Sequence, residues 1–129
     1  MLDSSVCVAL LRNQAPELRQ QLVAVRGSVG ISAIVACELW TGVERSGRSR
    51  SAAALSAFLQ DLEVVDWPGA AAVSYARLRA QLERSGQMIG ALDMMIAAHA
   101  LYERATLVTD NVREFRRVPG LKVENWMRR

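Results

Sequence analysis

Short apolar runs alternate along this chain with longer segments of helical periodicity. Four of the runs have the length and the β-branched content of strands: residues 29–32, 62–67, 106–109 and 121–126. A further strand is predicted at residues 1–4, before an apolar stretch at 6–11 and a turn near Pro16. Because strands that alternate with helices form parallel sheets covered by helices, the pattern predicts an α/β sandwich with a mostly parallel central sheet.

The helical segments lie between these runs. Ser32 is placed to cap a helix that carries Glu38 among apolar neighbours, and a second helix passes through Leu55. A third is predicted at residues 70–84, before Ser85-Gly86. Residues 88–104 are almost uniformly apolar, so this helix is predicted to be buried.

Length and composition limit the class of protein. With 129 residues, 51% of them hydrophobic, we expect a single domain over residues 1–129 with a substantial core. The longest apolar stretch is broken by His99 and falls short of the ~20 residues that span a bilayer, so no membrane span is expected. Neither cysteine, Cys7 nor Cys37, stands in a C-x-x-C spacing, which favours reduced thiols packed as small hydrophobes in a cytoplasmic protein.

The cationic residues of the chain are almost all arginine. Net charge is only +3, but 15 of the 16 cations are arginine, whose guanidinium group matches phosphate oxygens in a bidentate manner. From residue 113 onwards the cations outnumber the acids: Arg113, Arg116, Arg117, Lys122, Arg128 and Arg129 against Glu114 and Glu124. Such a surface suits a nucleic-acid backbone, although a merely solvated face remains an alternative.

Four acidic residues lie at positions typical of a functional site. Two of them follow predicted strands, and the other two lie in apolar helical segments. Asp3 and Asp110 each follow a predicted strand, at the edge where open parallel sheets hold ligands. Asp93 lies in the most apolar helix and Glu38 among apolar neighbours, and no lysine lies near any of the four in sequence. A divalent cation such as Mg²⁺ or Mn²⁺, which prefers oxygen ligands, would neutralise them.

Each acid also has a structural interpretation. Asp93 can be a helix N-cap, Asp110 part of a turn, Glu38 the partner of Arg45, and Asp3 a terminal turn residue. The four acids taken together favour a site.

The motifs around these acids resemble those of a known family. The opening L-D-[TS]-[NS] of PIN domains is similar to residues 1–5 (MLDSS), and their S-x(5)-E-L-x-x-G helix to residues 32–42. The core motif of VapC toxins resembles residues 89–93 (IGALD) with 96–100 (IAAHA). Their closing stretch is similar to residues 107–111 (LVTDN), 113–115 (REF), 118–121 (VPGL) and 124–126 (ENW). Order and spacing hold over essentially the whole chain, which therefore resembles the PIN-domain ribonucleases that serve as VapC toxins.

The resemblance implies a three-layer α/β/α sandwich and a particular set of site residues. It places Asp3, Glu38, Asp93 and Asp110 around Mg²⁺, with Asp3 and Asp93 as the most secure direct ligands. Ser5 and Thr109 would supply supporting hydroxyls. It also implies a homodimer and a VapB-like antitoxin whose C-terminal segment blocks the acidic groove, with exposed apolar surface on the first helices as its dock. The expected substrate is transfer RNA or another translation-associated RNA.

The implied chemistry is metal-assisted hydrolysis of a phosphodiester bond. Attack by the RNA 2′-hydroxyl usually needs an acid and a base, often two histidines, whereas only His99 occurs here, in an apolar run typical of a core residue. A zinc site is disfavoured on the same ground. A dehalogenase-like phosphatase would have a second aspartate two residues after Asp3, where this chain has Ser5. A receiver domain would have a lysine beyond a later strand, whereas Lys122 lies inside the last predicted strand. No phosphate-binding G-x-x-x-x-G-K loop occurs. An inactive binding module with the same fold remains the alternative.

Overall fold

The computed structural model describes residues 1–25 and 27–127. Its helices are α1 (Ser4–Leu11), α2 (Pro16–Ala24), α3 (Ala33–Ser46), α4 (Ser49–Gln60), α5 (Ala72–Ser85), α6 (Ala91–Tyr102) and α7 (Val112–Phe115). A 3-10 turn covers Gly69–Ala71. The strands are β1 (Gly30–Ser32), β2 (Glu63–Val65), β3 (Leu107–Val108) and β4 (Val123–Glu124).

The strands form two parallel pairs that the N-terminal residues join. β1 pairs with β2, and β3 pairs with β4. Between the pairs, Leu2 forms a parallel bridge with Val108 and donates its backbone N–H to the carbonyl of Gly30 at 3.0 Å. The predicted α/β fold with a parallel sheet is confirmed. The first strand is reduced to a bridge because α1 begins at Ser4.

The core lies on both faces of this sheet. Leu2, Ile31 and Leu107, from three neighbouring chain segments, are each completely buried. Full burial of such a side chain stabilises the fold by about 1.5–3 kcal/mol. Helix α6 buries a nearly continuous surface, as its composition predicted, and α7 contributes Phe115. A sheet buried on both faces is typical of parallel α/β folds.

Local signals at helix ends set the start of α3 and the end of α5. The Ser32 hydroxyl oxygen accepts a hydrogen bond from the Ile34 backbone N–H at 3.1 Å, which confirms its predicted role as the N-cap of α3. Gly86 ends α5 at φ +67°, a left-handed conformation that glycine adopts without steric cost.

Three elements differ from their predictions. Helix α6 begins at Ala91 rather than residue 88, because Gly90 is extended with φ −58° and ψ 149°. Pro16 begins α2 where only a turn was predicted, since that helix buries Leu18 alone and its periodicity is correspondingly weak. Helix α7 was not predicted, because four residues are too few to give a periodic pattern of apolar positions in the sequence.

The described residues contain no helix long and apolar enough to cross a membrane. Both cysteines are free thiols. Cys7 is buried, as predicted, but Cys37 is exposed, so the prediction that it packs as a small hydrophobe was wrong. The reason is geometric, because Val35 and Leu39 face the core from α3 while Cys37, midway between them, points to the other side of the helix.

Candidate metal centre

Asp3 is the most buried of the four predicted acids. It links the sheet to α1, and its residue is only 4% exposed. Its Oδ2 atom accepts hydrogen bonds from Thr109 Oγ1 at 2.7 Å and from Ser5 Oγ at 3.3 Å. Its Oδ1 atom is buried and has no hydrogen-bond partner within the described part of the chain. Since an unpaired buried carboxylate oxygen is costly, a ligand is expected there.

The two hydroxyl groups that hold Asp3 also hold the loop after β3. Thr109 Oγ1 accepts a hydrogen bond from the Asn111 backbone N–H at 2.9 Å, and Ser5 Oγ accepts one from the Asp110 backbone N–H at 3.2 Å. Thr109 is completely buried. These residues therefore fix the Asp3 carboxylate relative to both sheet and loop.

Glu38 lies on α3, six residues after its Ser32 cap. Its Oε1 atom is buried and, among the described residues, has no hydrogen-bond partner. Burial and the charge of Asp3 raise the pKa of Glu38, while a hydrogen bond with the Ser4 side chain acts in the opposite direction. Glu38 thus shares the electrostatic environment of Asp3.

Asp93 lies in the first turn of α6 and has the most perturbed carboxylate of the group. Burial is the largest cause that raises its pKa, followed by the charges of Asp3, Glu38 and Glu114 and a hydrogen bond to Glu114, and together they raise it from 3.8 to about 6. The structure therefore brings Asp3, Glu38 and Asp93 together, three of the four acids selected from the sequence.

Asp110 occupies a different position. It is exposed, and its Oδ1 atom accepts a hydrogen bond from Asn125 Nδ2 at 3.3 Å. It does not belong to the charges that raise the pKa of Asp93. It is connected to Asp3 through Ser5, whose hydroxyl accepts a hydrogen bond from the Asp110 backbone N–H and donates one to Asp3 Oδ2.

Glu114 joins the group although the sequence analysis did not select it. It lies on α7, interacts with Asp93, and its Oε2 atom accepts a hydrogen bond from Asn111 Nδ2 at 3.0 Å. It was missed because α7 was not predicted. Its spacing of four residues from Asp110 was the available signal, since a helix there would bring the two side chains near each other.

Within residues 1–25 and 27–127, none of these acids forms an ion pair with a cationic side chain. The ion pairs in these ranges are Arg79 with Glu83 and His99 with Glu103. Nor do three of the carboxylates within these ranges converge closely enough to enclose an ion on their own. This arrangement fits Mg²⁺, which keeps several waters and takes one or two protein carboxylates, better than a closed all-protein cage.

A groove of about 520 Å³ lies between α1, α3 and α4 and includes Glu38 in its wall. Val8, Leu11 and Leu39 give the groove an apolar lining. Arg12 and Arg48 add positive charge. The apolar groove on the first helices therefore extends to Glu38, one of the four acids.

Comparisons with known proteins identify the family of the chain. Residues 1–121 match the PIN domain family. Ribonuclease VapC2 of Rickettsia felis is 40% identical over 130 residues, which cover 98% of this chain and 96% of that protein. The tRNA(fMet)-specific endonuclease VapC of Shigella flexneri is 36% identical over 127 residues, covering 98% of this chain and 96% of the relative.

Solved structures show the same fold. VapBC2 from Rickettsia felis bound to a DNA fragment from their promoter matches with a TM-score of 0.93 and 37% identity, over 98% of this chain and 97% of that chain. DNA-bound VapBC from Salmonella typhimurium matches with a TM-score of 0.94 and 36% identity, over 98% and 96% of the two chains. The chain belongs to the PIN-domain family of VapC ribonucleases.

Proposed function

We propose that the protein is the toxin of a type II toxin–antitoxin pair and acts as a Mg²⁺-dependent endoribonuclease. One observation carries the proposal: buried oxygen atoms of Asp3 and Glu38 lack partners in the described structure, beside an Asp93 carboxylate whose pKa is raised to about 6. Mutual repulsion of this kind is relieved by a divalent cation. The PIN-domain membership and the VapC relatives give the reaction class.

Asp3 and Asp93 would hold the cation directly, and Glu38, Asp110 and Glu114 would act through its waters. Mn²⁺ can take the same place, because it also prefers oxygen ligands. When bound, the cation activates a water and stabilises the charge that develops on the phosphate. Thr109 and Ser5 keep the Asp3 carboxylate in a fixed orientation. The products would be a 5′-phosphate and a 3′-hydroxyl.

The position of His99 supports hydrolysis over attack by the RNA 2′-hydroxyl. The side chain of His99 is completely buried, and its Nδ1 atom is 2.8 Å from Ser32 Oγ. A proton donor or acceptor must reach the reacting atoms directly or through one water. A histidine enclosed in this way does not meet that requirement.

We infer that the substrate is transfer RNA or another RNA of the translation machinery. A relative from Shigella flexneri carries the name tRNA(fMet)-specific endonuclease. Arg113 and Arg116 are exposed on either side of Glu114, where their charge would attract phosphates to an otherwise acidic site. Arg128 and Arg129 of the predicted basic cluster lie outside the described residues.

We also infer that an antitoxin inhibits the enzyme through the groove between α1, α3 and α4. The matching structures from Rickettsia felis and Salmonella typhimurium are of VapBC. An amphipathic segment laid against Val8, Leu11 and Leu39 would reach Glu38 and cover the acids. A homodimer and a cytoplasmic location remain predictions from the family resemblance, and light scattering of the purified protein would test the first.

The test is cleavage of total cellular RNA by antitoxin-free protein, with Mg²⁺ or with EDTA, for the wild type and a folded Asp93→Asn variant. We expect discrete fragments with 5′-phosphate ends only from the wild type with Mg²⁺. Mapping the fragment ends would identify the RNA. If folded, Mg²⁺-loaded wild type cuts no RNA, the alternative of an inactive binding module replaces the proposal.

A further inference from the structure

A buried hydrogen bond connects the two helices that carry Glu38 and Asp93. His99 on α6 and Ser32 at the start of α3 are both completely buried, and His99 Nδ1 lies 2.8 Å from Ser32 Oγ. The two residues are 67 positions apart in the chain. Such a polar contact inside an apolar core is costly unless its hydrogen bonds are satisfied, so its presence needs a reason.

The Ser32 hydroxyl group makes two contacts at once. Ser32 Oγ accepts a hydrogen bond from the Ile34 backbone N–H and also pairs with His99 Nδ1, in a direction that depends on the tautomer of the ring. His99 Nε2 is buried, has no hydrogen-bond partner among the described residues, and lies 3.8 Å from Glu103 Oε1. Ser32 therefore caps α3 and holds α6 with the same hydroxyl group.

On each helix, the acid lies the same number of residues from the Ser32–His99 contact. Glu38 follows Ser32 by six residues on α3, and Asp93 precedes His99 by six residues on α6. Six residues span about 9 Å of helix. Glu38 and Asp93 in turn interact electrostatically. Glu38 comes after the contact residue on its helix, whereas Asp93 comes before the contact residue on the other helix. A fixed Ser32–His99 contact therefore limits how far α3 and α6 can slide along each other, and with them the two carboxylates.

We propose that the Ser32–His99 hydrogen bond positions Glu38 and Asp93 for the metal ion, which makes His99 a positioning residue of this site. The inference rests on the metal-dependent activity proposed above. Functional sites need their ligands held to within about 0.5 Å, whereas a slide of one residue along a helix moves a side chain by about 1.5 Å. An apolar side chain in place of His99 fills space but does not fix this register.

A pair of substitutions at one position separates the hydrogen bond from simple packing. His99→Leu keeps an apolar side chain in the core and removes the bond to Ser32. His99→Asn keeps an amide group close to the position of Nδ1, so it can still pair with the Ser32 hydroxyl. Glu103→Gln is the control, since it alters the other side of the His99 ring and leaves the Ser32 contact intact.

The primary measurement is the affinity of each folded protein for Mn²⁺ alone, by isothermal titration calorimetry. Loss of a group that orients metal ligands typically costs on the order of 10–100-fold in affinity or activity. We expect a loss in this range for His99→Leu, recovery to within about threefold for His99→Asn, and no change for Glu103→Gln. With RNA as substrate, kcat should fall in His99→Leu while KM stays near the wild-type value.

If His99→Leu does not fold, Ser32→Gly breaks the same bond from the other side, with little loss at the start of α3 because glycine is also a favourable N-cap residue, and it must lower Mn²⁺ affinity to a similar extent. Wild-type affinity in a folded His99→Leu, or equal losses in His99→Leu and His99→Asn, would overturn the inference. A wild type that binds Mn²⁺ but cuts no RNA would refute the proposed ribonuclease and leave the positioning role to be decided by the Mn²⁺ affinities. A wild type that binds no Mn²⁺ would overturn both.

Discussion

Asp3 follows the bridge residue Leu2 and Asp110 follows β3 and Thr109, at the same edge of the sheet, yet the two acids lie in different surroundings. Asp3, which is buried, belongs to a floor that it forms with the half-buried Glu38 and Asp93. Asp110 belongs to an exposed rim, where Asn125 holds its side chain. A position after a strand therefore predicts the edge at which an acid lies but not its depth.

The difference in depth has a simple structural cause. Asp3 leads directly from the sheet into α1 and is covered by Thr109, which is itself completely buried. Asp110 is one residue further out than Thr109, in the loop that leads to α7. Successive residues of an extended segment point in opposite directions, so the residue after a buried threonine faces outward. Floor and rim should accordingly differ in how much function depends on them.

The largest expected effect is the loss of RNA cleavage when the charge of one acid of the floor is removed. Asp93→Asn keeps the size of the side chain and removes a charge that the proposed cation requires. A cation's contribution of several kcal/mol predicts a fall in kcat/KM on the order of 10²–10³-fold. Single-turnover cleavage of purified tRNA measures it. Activity within tenfold of the wild type would show that the floor is not the catalytic centre.

A smaller effect is expected when the support of the floor is removed. Thr109→Val is nearly isosteric and breaks the 2.7 Å hydrogen bond to Asp3 Oδ2. We expect kcat/KM to fall on the order of 10–100-fold, as for other residues that orient metal ligands. Thr109→Ser retains the hydroxyl group and serves as the matched control. Wild-type activity in Thr109→Val, or a loss in Thr109→Ser as large as that in Thr109→Val, would contradict a specific role of this hydrogen bond.

The rim should tolerate a comparable change better. Asp110→Asn alters an exposed side chain that acts, in our proposal, only through water, so we expect a loss of at most about tenfold. The same assay applies, with Glu114→Gln as the comparison, because Glu114 interacts directly with Asp93 and should matter more. A loss in Asp110→Asn as large as that in Asp93→Asn would abolish the distinction between floor and rim.

The smallest effect concerns stability without metal. The pKa of Asp93 is raised from 3.8 to about 6 in the folded protein, so its ionisation destabilises the fold progressively between about pH 4 and pH 7. In EDTA, Asp93→Asn should therefore be more stable than the wild type at pH 7, by about 1 kcal/mol once partial exposure of the carboxylate is considered. The two proteins should converge near pH 4. Denaturant unfolding at both pH values checks this, and a variant less stable at pH 7 would contradict the repulsion in the floor.

Sequence alone was sufficient for the parallel sheet, for Ser32 as the cap of α3 and for three of the acids in the floor. These features rest on strong local signals, namely apolar periodicity, a capping side chain and charges in apolar segments. The family resemblance supplied the order in which they occur. None of these signals depends on contacts between distant parts of the chain.

What the sequence did not provide depends on such contacts. Glu114 was missed because α7 is too short to have a periodicity, and only the fold brings it to Asp93. His99 was expected to be a core residue, and it is buried, but its bond to Ser32 joins positions 67 apart. The depth of Asp110 likewise depends on the packing of the loop after β3.

The central claim is that Asp3 and Asp93 hold a divalent cation. A crystal structure of the protein with Mn²⁺, collected at a wavelength where manganese scatters anomalously, tests it most directly. We predict an anomalous peak within about 2.5 Å of Asp3 Oδ1 and of an Asp93 carboxylate oxygen, with waters completing the coordination. A peak bound elsewhere, or no peak at these oxygens in crystals of protein that cleaves RNA with Mn²⁺, would contradict the account.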